Sequence, residues 1–576
     1  MLAANSGESN SFRVTPIVVF GALSLVFALR LWHLSSAMLS PLSYQPGPDE
    51  DYYLHLGQAV AAGQGQDTPE FTFLDPAYGY LLGAVFKLAG VNLFVVYLLQ
   101  AVADTATAWG ILVIGRLLGQ PRAGLFGAIL YGLTATAIMY TTTVLKETWA
   151  ACYLTWWVAA SLVLIRSQRK LAWLAFGVYC GTGVALRSNL LLLAGFALLL
   201  PYFCPAALRT PRLWAQKAVL VACGLLVALA PWSLRNANSY GSYSPLPHNG
   251  GIELHQVYNS QNPGSELWIP AFVNYLEPRE IWRGYAAEAI KREARALSVP
   301  EIDRYWRDQA LTFIWQNPAQ VVRDILQKAI NFLSAAEVPD NRSVLEERLF
   351  SPVLKLLPAP TAGLLALGFA GLLWLALYDR RWPIVAAPIF VAWFTVAIFF
   401  TQDRFRFLAI PLLALSAGIF IGKLADEFRE RRRWPALGLV ALAAVLAGTS
   451  LLLGNIGGPP APVRWDQIAW GYIKMGRIPE ARALALRIAG EQPDNGAILE
   501  ALGYTAIALK QYGEAADDYQ RAIKLRPRSH VAHYDLARVY LELGDRKRAA
   551  EEARIAVELN PAPDYSALLS KIESQL

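Results

Sequence analysis

Eleven apolar runs, each long enough to cross a lipid bilayer, constrain this chain more than any other feature of its sequence. A helix needs about 20 mostly apolar residues to span the ~30 Å hydrocarbon core. The chain is 55% hydrophobic and 16% charged, whereas soluble domains carry about 25% charged residues. We therefore predict a mainly α-helical, polytopic membrane protein. The predicted spans are 14–37, 92–116, 122–140, 148–165, 171–187, 189–205, 217–234, 360–378, 383–401, 406–424 and 436–455.

Lysine and arginine concentrate in alternate loops between these runs, which predicts the orientation of the chain. Cytoplasmic loops are enriched in lysine and arginine, so we predict a bacterial inner-membrane protein with a cytoplasmic N-terminus. Segment 38–91, a large loop 235–359 and the whole C-terminus then lie on the outer face. The shorter run 76–90 reads as an interfacial or re-entrant helix. The basic loops are 115–122, 166–170, 210–217, 379–381 and 427–434.

The remaining composition argues against several other classes of protein. The net charge of +7 is explained by the basic loops, so it does not indicate a nucleic-acid surface. All four cysteines fall inside apolar runs. They read as small core residues, and their spacing indicates neither a disulfide framework nor a metal site.

A repeat of 34 residues defines a separate C-terminal domain. A membrane domain over 1–456 ends at a linker rich in glycine and proline, 457–464, and residues 465–576 have the composition of a soluble helical protein. Small residues in phase let paired helices cross closely, which is the tetratricopeptide pattern. We predict about three repeats, with either a partner-binding or a purely structural role. The three registers are Pro493, Pro527 and Pro561; Ala481, Ala515 and Ala549; and Ala469, Gly503 and Ala537.

Charged residues collect at the predicted outer ends of the spans, where a membrane enzyme would carry its chemistry. Carboxylates and cations on one face suit an acceptor that must be deprotonated and an anionic donor such as a lipid phosphate. Each set also has a structural explanation, because membrane-end arginines snorkel, adjacent charges neutralise one another, and carboxylates favour helix starts. The sets are Asp49, Glu50 and Asp51; Lys146 and Glu147; Arg187; and Arg404 and Arg406.

Several motifs, in this order along the chain, resemble those of the GT-C glycosyltransferases over about residues 40–425. The similarity is to the family-39-like group, which includes protein O-mannosyltransferases and the aminoarabinose transferase acting on lipid A. The tetratricopeptide tail departs from those members. The motifs are DEDYYLHLGQAVAAGQG (49–65), DPAYGYLLGAVFKLAGVNLF (75–94), TTVLKETW (142–149), VALRSNLLLL (184–193), PWSLRNANSYGSYSPLPHNGG (231–251) and QDRFRFLAIPLL (402–413).

The resemblance implies a glycosyltransferase whose donor is a polyprenyl-phosphate sugar, loaded on the outer face. It implies a catalytic role for Asp49, with Glu50 in the same catalytic site as its neighbour or as a contact to the acceptor, and an orienting role for Tyr53. Asp51 has no clear counterpart and reads as a solvated charge at a helix start. Lys146 would lie near the donor phosphate with Glu147 as its orienting partner. The cations Arg187, Arg404 and Arg406 are further candidates for binding that phosphate.

We expect an inverting displacement in which Asp49 acts as general base on an acceptor hydroxyl. No metal ligands are predicted; a divalent metal stays open, but His248 and His255 are too loosely placed to count as ligands. The acceptor is a protein or an envelope glycan. Two alternatives remain: a polysaccharide polymerase, ligase or lipid transporter, which should carry more charge deep inside spans, and a non-catalytic repeat scaffold for envelope-glycan assembly, for which one anchor would suffice.

Overall fold

Helices make up all the regular secondary structure that the computed structural model describes. Prolines open many of them, because the missing N–H of proline costs nothing in the first helical turn. Side-chain caps start others: Thr15 accepts a hydrogen bond from the Val18 N–H (3.4 Å), and Asn92 accepts one from the Phe94 N–H (3.1 Å). The described residues are 14–64, 71, 73–206, 210–262, 266–273, 277–357, 361–430, 433–456, 462–560 and 562–575.

The first ten helices contain most of the predicted spans before the large loop. Between them, 3₁₀ turns at Pro41–Tyr44, Ser188–Leu190 and Leu200–Phe203 interrupt the helical path. The helices are α1 (Pro16–Ala37), α2 (Pro48–Ala61), α3 (Pro76–Ala89), α4 (Leu93–Leu117), α5 (Pro121–Gly132), α6 (Ala135–Tyr140), α7 (Glu147–Leu164), α8 (Lys170–Leu186), α9 (Leu191–Ala197) and α10 (Pro211–Tyr240).

Among the residues that the structure describes, the large loop contains six helices, and five more follow it before the linker. The loop helices are α11 (Gly250–Val257), α12 (Pro278–Glu293), α13 (Val299–Gln316), α14 (Pro318–Asn331), α15 (Val344–Arg348) and α16 (Pro352–Leu356). They are followed by α17 (Thr361–Tyr378), α18 (Trp382–Ile398), α19 (Asp403–Phe407), α20 (Ile410–Arg429) and α21 (Arg433–Ile456).

Five helices in the described ranges are long and apolar enough to cross a membrane, so the predicted count of eleven spans is not confirmed. Predicted span 122–140 is two helices, α5 and α6, and span 189–205 is α9 flanked by 3₁₀ turns. Broken helices are tolerated at membrane depth where protein covers them. The five are α1, α4, α10, α17 and, within α21, Leu437–Gly454; shorter apolar helices include Lys170–Leu186, Ser188–Ala197 and Trp382–Ile398.

Glycines let the central helices of the membrane domain approach to backbone contact. A Cβ added at Gly177 of α8 would overlap the Val221 carbonyl oxygen of α10. A Cβ at Gly371 of α17 would overlap the Ser416 carbonyl oxygen of α20. Lipid provides no hydrophobic force between helices, so small residues that allow close packing hold them together.

The basic loops meet at one end of the bundle. Arg381 donates a hydrogen bond to the Leu117 carbonyl oxygen (3.0 Å), and Arg166 reaches the same oxygen at 3.5 Å. Arg380 donates to the Phe203 carbonyl oxygen (3.1 Å). These contacts join three loops that the charge pattern assigns to one face. Which compartment that face meets stays a prediction.

Helices α12 to α14 form the middle of the large loop. Trp306 of α13 is fully buried, and its indole N–H donates to the Tyr285 carbonyl oxygen of α12 (3.0 Å). Lys328 of α14 donates to the Phe399 carbonyl oxygen just after α18 (2.8 Å), which ties the loop to the membrane helices. The loop is therefore anchored beside the spans.

The repeat domain consists of paired helices with small residues at the crossings, as the 34-residue period predicts. Ala481, Ala515 and Ala549 are fully buried, as are Ala469 and Ala537. Pro561, in the proline register, lies outside the described residues. The helices are α22 (Trp465–Lys474), α23 (Ile478–Glu491), α24 (Gly496–Ala508), α25 (Tyr512–Leu525), α26 (His530–Glu542), α27 (Arg546–Leu559) and α28 (Pro563–Glu573).

Candidate active site

Three adjacent carboxylates occupy the first turn of α2, after Pro48 opens the helix. A helix N-terminus stabilises negative charge because its first N–H groups are unpaired and its dipole is positive there. Successive side chains of a helix point about 100° apart, so Asp49, Glu50 and Asp51 have different surroundings. The fold therefore separates three residues that look alike in the sequence.

Asp49 is held by two side chains from distant parts of the chain. Its Oδ2 accepts hydrogen bonds from Arg404 Nη1 and, at 3.0 Å, from Asn341 Nδ2. Its backbone N–H donates to Asn341 Oδ1 (2.9 Å). Among the described residues, none donates a hydrogen bond to Oδ1 of Asp49. The carboxylate is thus oriented through one oxygen while the second stays available.

Glu50 is fully buried in an ion pair with Arg342. Its Oε1 accepts from Arg342 Nε (2.5 Å), and its Oε2 accepts from Arg342 Nη2 (3.1 Å) and from the Val144 N–H (3.0 Å). Both oxygens are occupied by residues that connect α2 to two other loops. The structure therefore places Glu50 where it fixes the start of α2.

Asp51 is the most exposed of the three carboxylates, with 36% of its side chain accessible. It pairs with His55 (3.3 Å) and with Arg279 of α12 (3.4 Å). Although partial burial opposes the shift, the hydrogen bond from His55 and the charges of His55 and Arg279 lower the pKa of Asp51. Asp51 is therefore an ionised surface group.

Lys146 pairs with Asp75, the residue that precedes α3. Asp75 also accepts from the Ser188 N–H (3.0 Å) and from the Ser188 hydroxyl. Tyr53 is buried beside this group: its hydroxyl donates to the Asp75 carbonyl oxygen (3.4 Å), and Lys146 Nζ lies 5.9 Å from its ring centroid. Asp75, rather than the predicted Glu147, is the partner of Lys146.

Glu147 instead pairs with Arg187, whose Nη1 donates to Glu147 Oε1 at 2.9 Å. The other oxygen, Glu147 Oε2, is buried and receives no hydrogen bond from any residue in the described part of the chain. Arg187 also packs 4.8 Å from the ring centroid of Phe405. The predicted cation and the predicted acid thus belong to one pair.

Arg404 connects two acidic side chains, whereas Arg406 points elsewhere. Arg404 pairs with Asp49 and, through Nε, with Asp340 Oδ2 at 3.0 Å. Arg406 pairs with Asp403 and donates to the Ser334 carbonyl oxygen (2.6 Å), and it lines a separate cavity of about 100 Å³. Arg406 therefore joins α19 to the segment after α14, apart from the other predicted cations.

A cavity of about 300 Å³ is lined by Arg404 and by the two ion pairs Lys146–Asp75 and Arg187–Glu147. It includes phenylalanines that follow α18, and its wall carries charges of both signs. Besides Glu147 Oε2, a second acceptor, Asn189 Oδ1, is buried without a hydrogen bond from the described residues. Arg404 lines the cavity and pairs with Asp49, which is not itself a lining residue. The polar lining is Asp75, Lys146, Glu147, Arg187, Ser188, Asn189, Asn249, Glu253, Thr395 and Arg404.

Glu253 reaches the cavity from α11 of the large loop. Its Oε1 accepts a hydrogen bond from Asn249 Nδ2 (2.8 Å). Burial, reinforced by the charge of Asp75, raises the pKa of Glu253 to about 7, although Lys146 and Arg404 act in the opposite direction. Glu253 is therefore a cavity carboxylate that exchanges its proton near neutral pH.

Metal ligands are not grouped in the described ranges, where no cluster of three or more His, Cys, Asp and Glu side chains is placed to hold an ion. His255 packs against Trp306, with 4.5 Å between ring centroids. His248 packs against Tyr240 at 6.4 Å. Both histidines belong to the interior of the large loop.

Five polar residues of this region were missed by the sequence reasoning. The sequence does draw attention to Asp75, because this carboxylate directly precedes the proline that starts the 76–90 run. A carboxylate in that place is, however, equally typical of an ordinary helix start. Nothing in the local sequence distinguishes the others from ordinary loop residues. The five are Asp75, Asn189, Glu253, Asp340 and Asn341.

Comparisons with known proteins match two parts of the chain. Residues 67–234 match the family model of dolichyl-phosphate-mannose-protein mannosyltransferase. Residues 467–530 and 506–572 match models of the tetratricopeptide repeat. These matches agree with both resemblances seen in the sequence, the one to GT-C glycosyltransferases over residues 67–234 and the one to tetratricopeptide repeats over residues 467–572. Lys146, Glu147 and Arg187 lie inside the first match, and Asp49 and Arg404 lie outside it.

Relatives and solved structures cover the chain in part. An undecaprenyl phosphate-alpha-4-amino-4-deoxy-L-arabinose arabinosyl transferase of Pseudomonas aeruginosa is 31% identical over 204 residues, 32% of this chain and 36% of that protein. The corresponding arabinosyl transferase 1 of Pseudomonas fluorescens matches with the same identity and the same coverage of both chains. The chain thus spans about a third of these relatives.

Among solved structures, the oligosaccharyltransferase AglB of Archaeoglobus fulgidus is 14% identical, with coverage of 79% of this chain and 58% of that one and a TM-score of 0.39. ArnT of Cupriavidus metallidurans, bound to undecaprenyl phosphate, is 15% identical, with coverage of 71% and 78% and a TM-score of 0.34.

Proposed function

We propose that this chain is an integral-membrane glycosyltransferase that moves a sugar from a polyprenyl-phosphate donor to an acceptor hydroxyl. The donor class follows the relatives, which are named for undecaprenyl-phosphate and dolichyl-phosphate sugars. The reaction takes place on the outer face, with inversion at the sugar C1. The acceptor is a protein or an envelope glycan, and the sugar is a hexose or a pentose.

The cavity is the observation that carries this proposal. Lys146, Arg187 and Arg404 place three cationic side chains on its wall, and guanidinium and ammonium groups bind phosphate oxygens well. Glu147 Oε2 and Asn189 Oδ1 are buried acceptors that lack a donor from the described residues. Leaving such an atom unpaired costs about 1–3 kcal/mol, and sugar hydroxyls supply the missing donors.

Arg404 links the phosphate site to the proposed base, because it lines the cavity and pairs with Asp49. In the reaction, Asp49 Oδ1 takes the proton of the acceptor hydroxyl, and the hydroxyl oxygen attacks the sugar C1. The bond between C1 and the phosphate oxygen breaks, and lipid phosphate leaves with the electron pair. The three cations stabilise the charge that develops on it.

The two aspartates in the first turn of α2, Asp49 and Asp51, allow a matched experiment. Asp49→Asn removes the base without changing its shape, so transfer in purified membranes or nanodiscs should fall about 10²–10⁴-fold. Asp51→Asn is the matched control, because it makes the same change two residues along the helix at a surface ion pair. Substantial transfer by the Asp49→Asn protein would refute the role of Asp49.

The donor is identified by mass spectrometry of envelope glycans and lipid-phosphate sugars in cells that lack the protein. An unused lipid-phosphate sugar should accumulate, and its mass names the sugar. An unaltered lipid-phosphate pool would instead favour the repeat scaffold or a transporter. A scaffold requires neither the buried ion pairs nor the unpaired acceptors of the cavity, which is why we favour the enzyme.

A further inference from the structure

Arg464, the last residue of the linker and the one that directly precedes the repeat domain, binds the membrane domain beside the proposed active site. Arg464 lies directly before α22, and its backbone N–H and Nε donate to Glu346 Oε1 at 2.8 and 2.9 Å. Its Nη2 donates to Glu346 Oε2 at 2.6 Å. Glu346 has only 2% of its side chain exposed. A bidentate pair of this kind fixes orientation as well as distance.

The guanidinium group of Arg464 also binds the backbone of residues 340–341, whose side chains contact Arg404 and Asp49. Arg464 Nη1 donates to the Asp340 carbonyl oxygen (2.9 Å), and Nη2 donates to the Asn341 carbonyl oxygen (3.3 Å). One side chain thus joins a helix of the large loop, the 340–341 backbone and the start of the repeats. A lysine, with a single ammonium group, cannot reproduce this fork.

Residues 340–342 each contact one member of the site. Asp340 pairs with Arg404 at 3.0 Å. Asn341 forms the two hydrogen bonds that orient Asp49, and Arg342 pairs with Glu50. Because Arg464 holds the backbone of the first two residues, its placement sets the positions of their side chains.

A second contact docks the repeats on a different loop, the segment 38–91 that carries α2. Helix α22 packs against the 3₁₀ turn Pro41–Tyr44, which lies just before α2. A Cβ added at Gly471 of α22 would overlap the Pro41 carbonyl oxygen. This approach is independent of Arg464, and it places α22 against the loop that leads to Asp49.

We propose that Arg464 is a positioning residue through which the repeat domain sets the geometry of Asp49 and Arg404. A protein that binds the repeats and shifts α22 would then change the site without touching it. The repeats are therefore a control element of the membrane domain. A simple tether would also hold the repeats in place, but it would leave residues 46–51 and 338–344 unaffected.

Hydrogen exchange of the full chain in nanodiscs tests the inference without any assumption about the reaction. Arg464→Ala should speed exchange roughly tenfold in peptides covering 338–344 and 46–51, because hydrogen bonds that restrain these segments are lost. Arg477→Ala is the matched control, since Arg477 follows α22 and forms an exposed pair with Glu480. Faster exchange confined to residues 462–474 would overturn the proposal.

Two further measurements keep the result interpretable. Arg464→Lys keeps a charge for Glu346 but not the carbonyl bonds, so it should give an intermediate effect at 338–344 even if Arg464→Ala proves unstable. The transfer rate is a second readout that rests on the proposed function: Arg464→Ala should lower kcat roughly tenfold, in line with the lost hydrogen bonds. Unchanged kcat in an otherwise active enzyme would refute the coupling, whereas loss of transfer in every protein including wild type would refute only the proposed function.

Discussion

At the scale of single residues, neighbours in the sequence perform different tasks. Asp49 is oriented by Asn341 and Arg404, and both carboxylate oxygens of Glu50 accept hydrogen bonds from Arg342. Asp51 faces water beside His55. All three carboxylates suit a helix start equally well, so their difference arises from their partners, which for Asp49 and Glu50 include residues 292 positions away in the sequence.

Glu253 gives the site a pH dependence near neutrality. Its pKa in the folded protein is about 7, above the ordinary value of 4.5. Stability is therefore lost as pH rises from about 4.5 to 7, where the unfolded chain has released the proton and the folded chain still holds it. Glu253→Gln mimics the neutral form, so it should raise Tm at pH 8 and change it little at pH 5. A Tm difference that is equal at both pH values would contradict this prediction.

Substitution of Lys146 tests whether this side chain binds the donor phosphate or only neutralises the charge of Asp75. If it binds the donor phosphate, Lys146→Gln should weaken binding of undecaprenyl phosphate about 10–100-fold, the value of one hydrogen bond to a charged group. The double variant Lys146→Gln with Asp75→Asn removes both partners of the pair. It should bind as weakly as the single variant. Recovery of binding in the double variant would show that Lys146 only compensates Asp75.

At the scale of helices, contacts between backbones decide where small residues are required. Gly371→Ala would push a methyl group into the Ser416 carbonyl of α20, whereas an added Cβ at Gly422 of the same α20 meets nothing within 4 Å. We expect Gly371→Ala to destabilise the protein by about 3 kcal/mol. Gly422→Ala should be neutral or stabilising by up to about 1 kcal/mol. Thermal unfolding in detergent measures both, and equal Tm values for the two variants would refute this packing.

The helices also explain why the predicted count of eleven spans is not confirmed. Apolar runs indicate burial, and a run covered by protein looks the same in sequence as one that faces lipid. The run 122–140 is divided at Leu133 and Thr134, since α5 ends at Gly132 with Leu133 as its C-cap and Thr134 occupies the N-cap position of α6. Interior helices of a bundle need not cross the full bilayer, since neighbouring helices satisfy their ends.

At the scale of the whole molecule, the predicted orientation is open to a direct test. Gln168 lies in the basic loop 166–170, and Asp494 is an exposed residue of the repeats. In a Cys223→Ala background, which removes the exposed native thiol, a membrane-impermeant maleimide should label Asp494→Cys but not Gln168→Cys in spheroplasts. Permeabilised spheroplasts should label both. Labelling of Gln168→Cys before permeabilisation would reverse the orientation.

The domains of the chain are less independent than the linker suggests. A stretch rich in glycine and proline predicts separation, yet Arg464 at its end is bound to Glu346 and to the 340–341 backbone. Sequence composition reports flexibility of a segment, but it cannot report the surfaces that the segment brings together.

The sequence by itself determined the helical class, the membrane domain, the repeats and most of the charged candidates, because these depend on local patterns of hydrophobicity and charge. The tertiary structure decided which charges meet. In the structure, Lys146 pairs with Asp75 instead of the predicted Glu147. Glu147 pairs with Arg187, and Arg406 pairs with Asp403, apart from the 300 Å³ cavity that the other predicted cations line. Pairing depends on how loops far apart in the chain converge, and that follows from the packing of the whole bundle rather than from any local pattern.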